Sequence, residues 1–68
     1  MKIEYDKEAD AAYIYLEEDI KEGEAEKTIE LNKNIILDFN KEGKLLGIEV
    51  LDASKILNDK IIAQSESI

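Results

Sequence analysis

Cysteine, histidine and arginine are all missing from this 68-residue chain, and each absence removes a class of chemistry. Without cysteine there is no disulfide framework, and without cysteine or histidine the usual structural zinc site has no ligand set. Nucleophilic catalysis is poorly served, because no imidazole stands ready to activate Ser54, Ser65, Ser67 or Thr28. With lysine as the only basic residue, the bidentate guanidinium contacts that read guanine cannot be made. The three glycines, Gly23, Gly43 and Gly47, are too scattered for a phosphate-cradling loop. No apolar run approaches the roughly 20 residues that span a bilayer. The opening MKIEYDKEAD is charged from the start, unlike the apolar centre of a signal peptide. A cytoplasmic protein without membrane contact is expected.

What is present is acid. Seventeen Asp and Glu against nine Lys give a net charge of -8. That average field repels a phosphate backbone, so direct nucleic-acid binding is not expected. It suits a small basic protein as partner, although many acidic domains are simply soluble. A chain of this length makes one domain and buries only about 60% of its extended surface, so a monomer is marginal. With disulfides and zinc excluded, self-association is the remaining common aid.

Period-two alternation dominates the pattern. Lys2 to Tyr5 reads as a strand, the acidic stretch from Asp6 to Asp10 as a turn, and Ala11 to Leu16 as a second strand. Ala12, Ile14 and Leu16 share one face of it; Ala11, Tyr13 and Tyr15 share the other. An exposed loop, EEDIKEGE, precedes a third strand from about Ala25 to Leu31. Asn32 to Asn34 form a turn in which asparagine can take left-handed angles. Ile35 to Phe39 and Lys44 to Leu51 are strands joined at Gly43, a site for positive φ. Gly47, inside a strand, is expected to admit a neighbouring ring such as Tyr13 or Tyr15. Asp52 reads as a helix N-cap, with Ala53, Ile56 and Leu57 laid against the sheet. The expected class is α+β: a five-stranded antiparallel β-meander with a short C-terminal helix packed on one face. Residues 1–57 form the β-rich domain, and 58–68 are a helix extension or flexible tail.

Two segments carry a family likeness. Glu8-Ala9-Asp10-Ala11 runs into Tyr13-Ile14-Tyr15-Leu16; then Asp38, before the Gly43 turn, is followed by Gly47-Ile48-Glu49-Val50-Leu51-Asp52-Ala53-Ser54. In this order and spacing the chain resembles the small bacterial and archaeal proteins catalogued as domain of unknown function 2283. The likeness covers Lys2 to Leu57 and implies a compact β-rich domain with a terminal helix. It implies no activity and no catalytic residues. Members of this kind are sometimes encoded beside small toxin-like proteins, which implies an antitoxin-like role by association.

Acid–base chemistry has only carboxylates to draw on. Asp10, Asp38, Glu49 and Asp52 lie in the strand and turn motifs, and Asp38 and Glu49 are expected on one face of adjacent strands. Such a pair could move protons or hold a cation; the ordinary alternative is solvation or pairing with Lys27 and Lys44. Asp6, Glu8 and Asp10 have the 1, 3, 5 spacing of a calcium loop, with Glu17 twelfth. Ala11 stands where that loop needs glycine, so only weak cation binding by these three remains. The expectation is therefore a non-enzymatic interaction module without cofactor or metal, a homodimer and/or the partner of a small basic protein. The alternative is a small acid–base or cation-dependent enzyme using Asp10, Asp38 and Glu49. The candidate interaction face is Tyr13, Tyr15, Ile36, Leu45 and Leu51, unless strand twist and the tail cover it internally.

Overall fold

A computed structural model describes all 68 residues, and its strands follow the alternation of the sequence. Lys2–Asp6 (β1) and Ala11–Tyr15 (β2) pair antiparallel, setting Ile3 against Ile14 and Tyr5 against Ala12. Lys27–Glu30 (β3), Ile35–Phe39 (β4) and Leu45–Leu51 (β5) form two further antiparallel pairs, β3 on β4 and β4 on β5. Two short helices follow, Ala53–Ile56 (α1) and Asp59–Gln64 (α2), and then a two-residue strand, Glu66–Ser67 (β6).

The α+β class holds, but the meander does not. The sheet has six strands in the order β3-β4-β5-β2-β1-β6, and β6 runs parallel to β1. β2 therefore neighbours β5, not β3, with Ala12 opposite Val50 and Ile14 opposite Ile48. The physical reason lies in what each strand has to bury. β2 carries apolar side chains on both faces and gains most from an interior place, whereas all four residues of β3 are exposed, as suits an edge. The acidic segment between Tyr15 and Lys27 is long enough to carry the chain to the far side of the sheet.

The last residues are built in. The helices supply the crossover that a parallel strand needs. β6 then lies against β1 with Glu66 opposite Glu4 and Ser67 opposite Tyr5. The Ile68 N–H adds a bond to the Tyr5 carbonyl at 3.2 Å. Asn58 caps α2 by accepting the Lys60 N–H at 2.8 Å.

The first helix, α1, sits over the middle of one face. Ala53, 0% exposed, brings α1 down onto Ala12 and Val50, and Tyr5, Ile14, Ile48 and Leu57 pack around these three. Small side chains at Ala12 and Ala53 permit that close approach. Leu46 completes the buried apolar set, beside a bulge that shifts the β4–β5 register between Asp38 and Phe39. This is a thin core, in keeping with the chain's length. Gly43 takes φ 83° as its turn requires. The asparagine turn works differently from expectation. Neither Asn32 nor Asn34 is left-handed; the Asn32 side chain instead accepts the N–H groups of Asn34 and Ile35 at 2.8 and 2.9 Å. No helix is long and apolar enough to cross a membrane.

Candidate functional site

Asp10 ends the β1–β2 turn in a left-handed conformation, φ 51°, which aspartate tolerates better than most residues. From there its carboxylate reaches across to α1. Oδ1 accepts the Tyr5 hydroxyl at 2.7 Å and the Ser54 N–H at 3.0 Å, and Oδ2 accepts the Ser54 hydroxyl at 2.7 Å. The Asp10 carbonyl takes the Ala53 N–H at 2.9 Å. The Tyr5 hydroxyl, with help from both Ser54 donors, holds the Asp10 carboxyl below the usual carboxylate range.

This arrangement corrects the expected cap. Asp52 occupies the N-cap position of α1, but its side chain makes no capping bond, and its backbone is left-handed at φ 54°. Its Oδ2 instead accepts from Asn34 Nδ2 at 3.0 Å. The first turn of α1 is capped by Asp10, from a distant part of the sequence.

The opposite face of the sheet carries no helix. Tyr13 and Tyr15 meet there edge to face, with ring centroids 4.7 Å apart. The Tyr15 hydroxyl donates to Glu4 Oε1 at 2.7 Å, and Lys2 Nζ lies 4.8 Å above the Tyr15 ring and 3.6 Å from Glu4 Oε2. The Tyr13 ring leans over Gly47 to donate its hydroxyl to Asp38 Oδ2 at 2.8 Å, while Thr28 donates to Asp38 Oδ1 at 2.9 Å. Gly47 thus admits Tyr13, as its place within a strand suggests.

Every tyrosine of the chain therefore donates to a carboxylate: Tyr5 to Asp10, Tyr13 to Asp38, Tyr15 to Glu4. All three phenols are pushed up. For Tyr13 burial is the larger cause and the Asp38 bond the next; for Tyr5 and Tyr15 the carboxylate bond comes first. Alkaline titration checks this. Native protein at about pH 10 is expected to show well under the half-ionised phenolate absorbance of the urea-unfolded chain. Because the folded values are raised, this contribution to stability is complete below about pH 10 and lost as pH climbs through them.

The structure places the remaining candidates as follows. Asp38 and Glu49 share the open face, but Asp38 stands opposite Gly47 and Glu49 opposite Ile36, a diagonal relation. Asp38 is held by Tyr13 and Thr28; the ion pairs of the structure are Lys2–Glu4 and the N-terminus with Glu18, and neither involves Lys27 or Lys44. Asp10 does not join Asp38 and Glu49. It lies past the Ala11–Leu51 pair, four residues of β5 or roughly 13 Å along the sheet from Gly47. Asp6, Glu8 and Asp10 do not converge either. Asp6 Oδ1 closes its own turn on the Glu8 and Ala9 N–H groups at 3.1 and 3.3 Å, and Asp10 faces Tyr5 and Ser54. No three acidic residues are placed to hold a metal ion.

Of the candidate interaction face, Tyr13, Tyr15, Ile36 and Leu51 lie half-buried on the strands, and Leu45 sits at the bulge opposite Phe39, 38% exposed. An open depression of about 260 Å³ lies away from these residues, between the Gly23 and Lys41 loops, lined by Glu24, Glu26, Asn40 and Glu42. Nearby, Glu17 is raised chiefly by a hydrogen bond with Glu24, which that bond lowers in turn.

Sequence reasoning missed Glu4, Thr28 and Tyr5 as members of these networks. Glu4 stands opposite Tyr13 and diagonal to Tyr15, and Thr28 opposite Asp38, so strand pairing was the signal for these two; it sets Tyr5 opposite Ala12 and gives no sign of its bond to Asp10.

Residues 2–54 match the model of the family described as Protein of unknown function (DUF2283). The chain is also similar to Uncharacterized protein MJ0789 of Methanocaldococcus jannaschii, 42% identical over 59 residues. That match takes in 85% of this chain but 46% of the relative, so the chain spans about half the relative's length. No solved structure matches. The matched residues include the Asp10 clasp, both tyrosines of the open face, and Asp38, Gly47 and Glu49.

Proposed function

The chain belongs to the DUF2283 family, whose function is unknown, and on that premise we propose that it is a non-enzymatic interaction module whose open sheet face docks a small basic protein, in an antitoxin-like manner. One observation carries this reading: two tyrosines sit edge to face at the middle of a face no helix covers, each locked by a carboxylate. Buried aromatic anchors dominate binding energy in protein interfaces, and rings already fixed in place lose little freedom on docking. Ile36 and Leu51 extend the apolar centre, and Glu4, Asp38 and Glu49 are spread around it. Each carboxylate oxygen that accepts one hydroxyl retains a lone pair for a lysine or arginine donor. The net charge of -8 steers a basic protein toward this surface.

The carboxylates of the enzyme alternative serve structural bonds in two places. Asp10 ties the turn to α1, and Asp38 ties β4 to β2 and β3. This favours the interaction reading over an acid–base one.

Co-expression with the product of the adjacent reading frame, where that product is small and basic, tests the proposal. Co-purification is expected at low salt, weakening steeply as salt is raised. Tyr15→Ala and Glu49→Lys are each expected to weaken the complex at least about 10-fold with the circular dichroism unchanged. A complex indifferent to both substitutions and to salt would place the contact elsewhere and overturn the assignment of this face.

A further inference from the structure

The helix-bearing side of the sheet is covered unevenly. α1 packs on β2 and β5, where Ala53 and Leu57 meet Ala12, Val50, Ile14 and Ile48. Across β4 and β3 the same side continues apolar, because the register aligns Ile48 with Leu37 and Leu37 with Ile29. Ile29 is 52% exposed there and Leu31, just past the strand, 62%. Ile35, Leu37 and Phe39 remain only half-buried. A strand pair bearing this much branched apolar side chain on one face is ordinarily covered by a second layer.

Charge identifies what covers it. Between Lys27 and Lys44 four lysines (27, 33, 41 and 44) accompany three acids (Glu30, Asp38 and Glu42), so this segment carries +1. The rest of a chain with total charge -8 therefore carries -9. A basic partner is drawn to the acidic part and to the open face, where Asp38 points, and gains nothing electrostatic from the apolar helix side of β3 and β4. Two copies of the chain, by contrast, can meet at β3 and β4 without confronting the strongly acidic N-terminal part of one with that of the other.

Scale agrees. The molecule is a slab of 33 × 24 × 18 Å, and half of its broad side is on the order of 400 Å² in projection. Protruding side chains present more area than their projection, which approaches the roughly 800 Å² per partner of a standard interface.

We infer that a second copy of this chain packs on the helix-side face of β3 and β4, forming a two-fold dimer in which Ile29, Leu31 and Leu37 of each protomer supply the apolar centre. The two sheets stack face to face about 10 Å apart, and each completes the layer that the other's helices leave open. The lysines in the turns at the ends of β4 lie at the rim, where Lys41 stands beside Glu24 and Glu26 of the acidic loop. This inference is independent of the open-face reading: a dimer failing to form says nothing about the basic partner, and the converse holds.

Sedimentation equilibrium of the purified full chain, with no other protein present, is the test. The wild type is expected at twice its 7.7 kDa mass at micromolar concentration. Ile29→Glu and Leu31→Gln change side chains already largely in solvent, so both are expected to keep the circular dichroism spectrum while weakening the dimer at least about 10-fold, a signature of interface anchors. Tyr15→Ala on the opposite face is expected to leave the dimer intact. A wild type that stays monomeric to millimolar concentration overturns the inference. So does a dimer that survives both Ile29→Glu and Leu31→Gln, or one that Tyr15→Ala dissolves.

Discussion

Replacing Asp10 by alanine is expected to lower the melting temperature by roughly 5–15 °C, the drop that loss of a helix cap produces in a domain of this size. Two costs combine. Alanine strands the Ser54 N–H and leaves the Tyr5 and Ser54 hydroxyls without their acceptor. It must also hold φ 51°, a conformation that aspartate and asparagine tolerate but alanine resists. Asp10→Asn keeps the backbone preference and one acceptor oxygen, so its loss is smaller. Ser54→Ala should add little on top of Asp10→Ala, since the partner is already gone.

The pH dependence separates charge from geometry. The folded Asp10 carboxyl is held below its ordinary range, so its contribution is fully present above the unfolded value of about 3.9 and is lost as pH falls through the folded one. The gap in melting temperature between wild type and Asp10→Asn should be widest near neutrality and narrow in acid. Glu24 is also lowered, but Glu17 is raised by the same bond, so that pair pulls stability in opposing directions. A gap that stays constant into acid would mean the clasp depends on shape alone.

That clasp also marks the limit of what local pattern reveals. β1, β2, β4 and β5 are legible because alternation is a local property, and their bounds agree with the pattern to within a residue or so. The pairing of β2 with β5 is not, since it depends on which strands most need an interior place once the whole sheet forms. Asp52 had every local mark of a cap, yet a residue 42 positions earlier makes the bond to the Ala53 N–H, because the hairpin turn arrives at the helix start in space. β6 lacks an apolar alternation altogether; backbone bonding to the free edge of β1 orders Glu66 and Ser67. At the open face the sequence placed Tyr13 and Tyr15 together. It did not say that carboxylates would hold them, because Tyr13 and Asp38 meet only through the intervening β5.

Gly47→Ala turns that meeting into a measurable coupling. A Cβ at this position would lie 2.7 Å from Cε2 and Cζ of Tyr13, well inside van der Waals contact. The backbone of Gly47 is not left-handed, so alanine is locally acceptable and by propensity even preferred in a strand. Any loss must therefore come from the ring. Overpacking of this kind costs about 1–3 kcal/mol. At about 4–8 °C per kcal/mol, a domain this small shows it clearly in thermal unfolding. The ring has one way out, which is to swing off β5, and in doing so its hydroxyl leaves Asp38 to Thr28 alone. Two signatures follow. The raised Tyr13 phenol should return toward the ordinary range, since both burial and the carboxylate bond that raise it are lost. In a Tyr13→Ala background, Gly47→Ala should be neutral or slightly stabilising, giving a coupling of about 0.5–3 kcal/mol between the two sites. If Gly47→Ala instead melts like the wild type with its phenol titration unchanged, the ring does not rest on this glycine. The open face would then lose its fixed aromatic centre, and with it the preorganisation on which docking a basic partner depends.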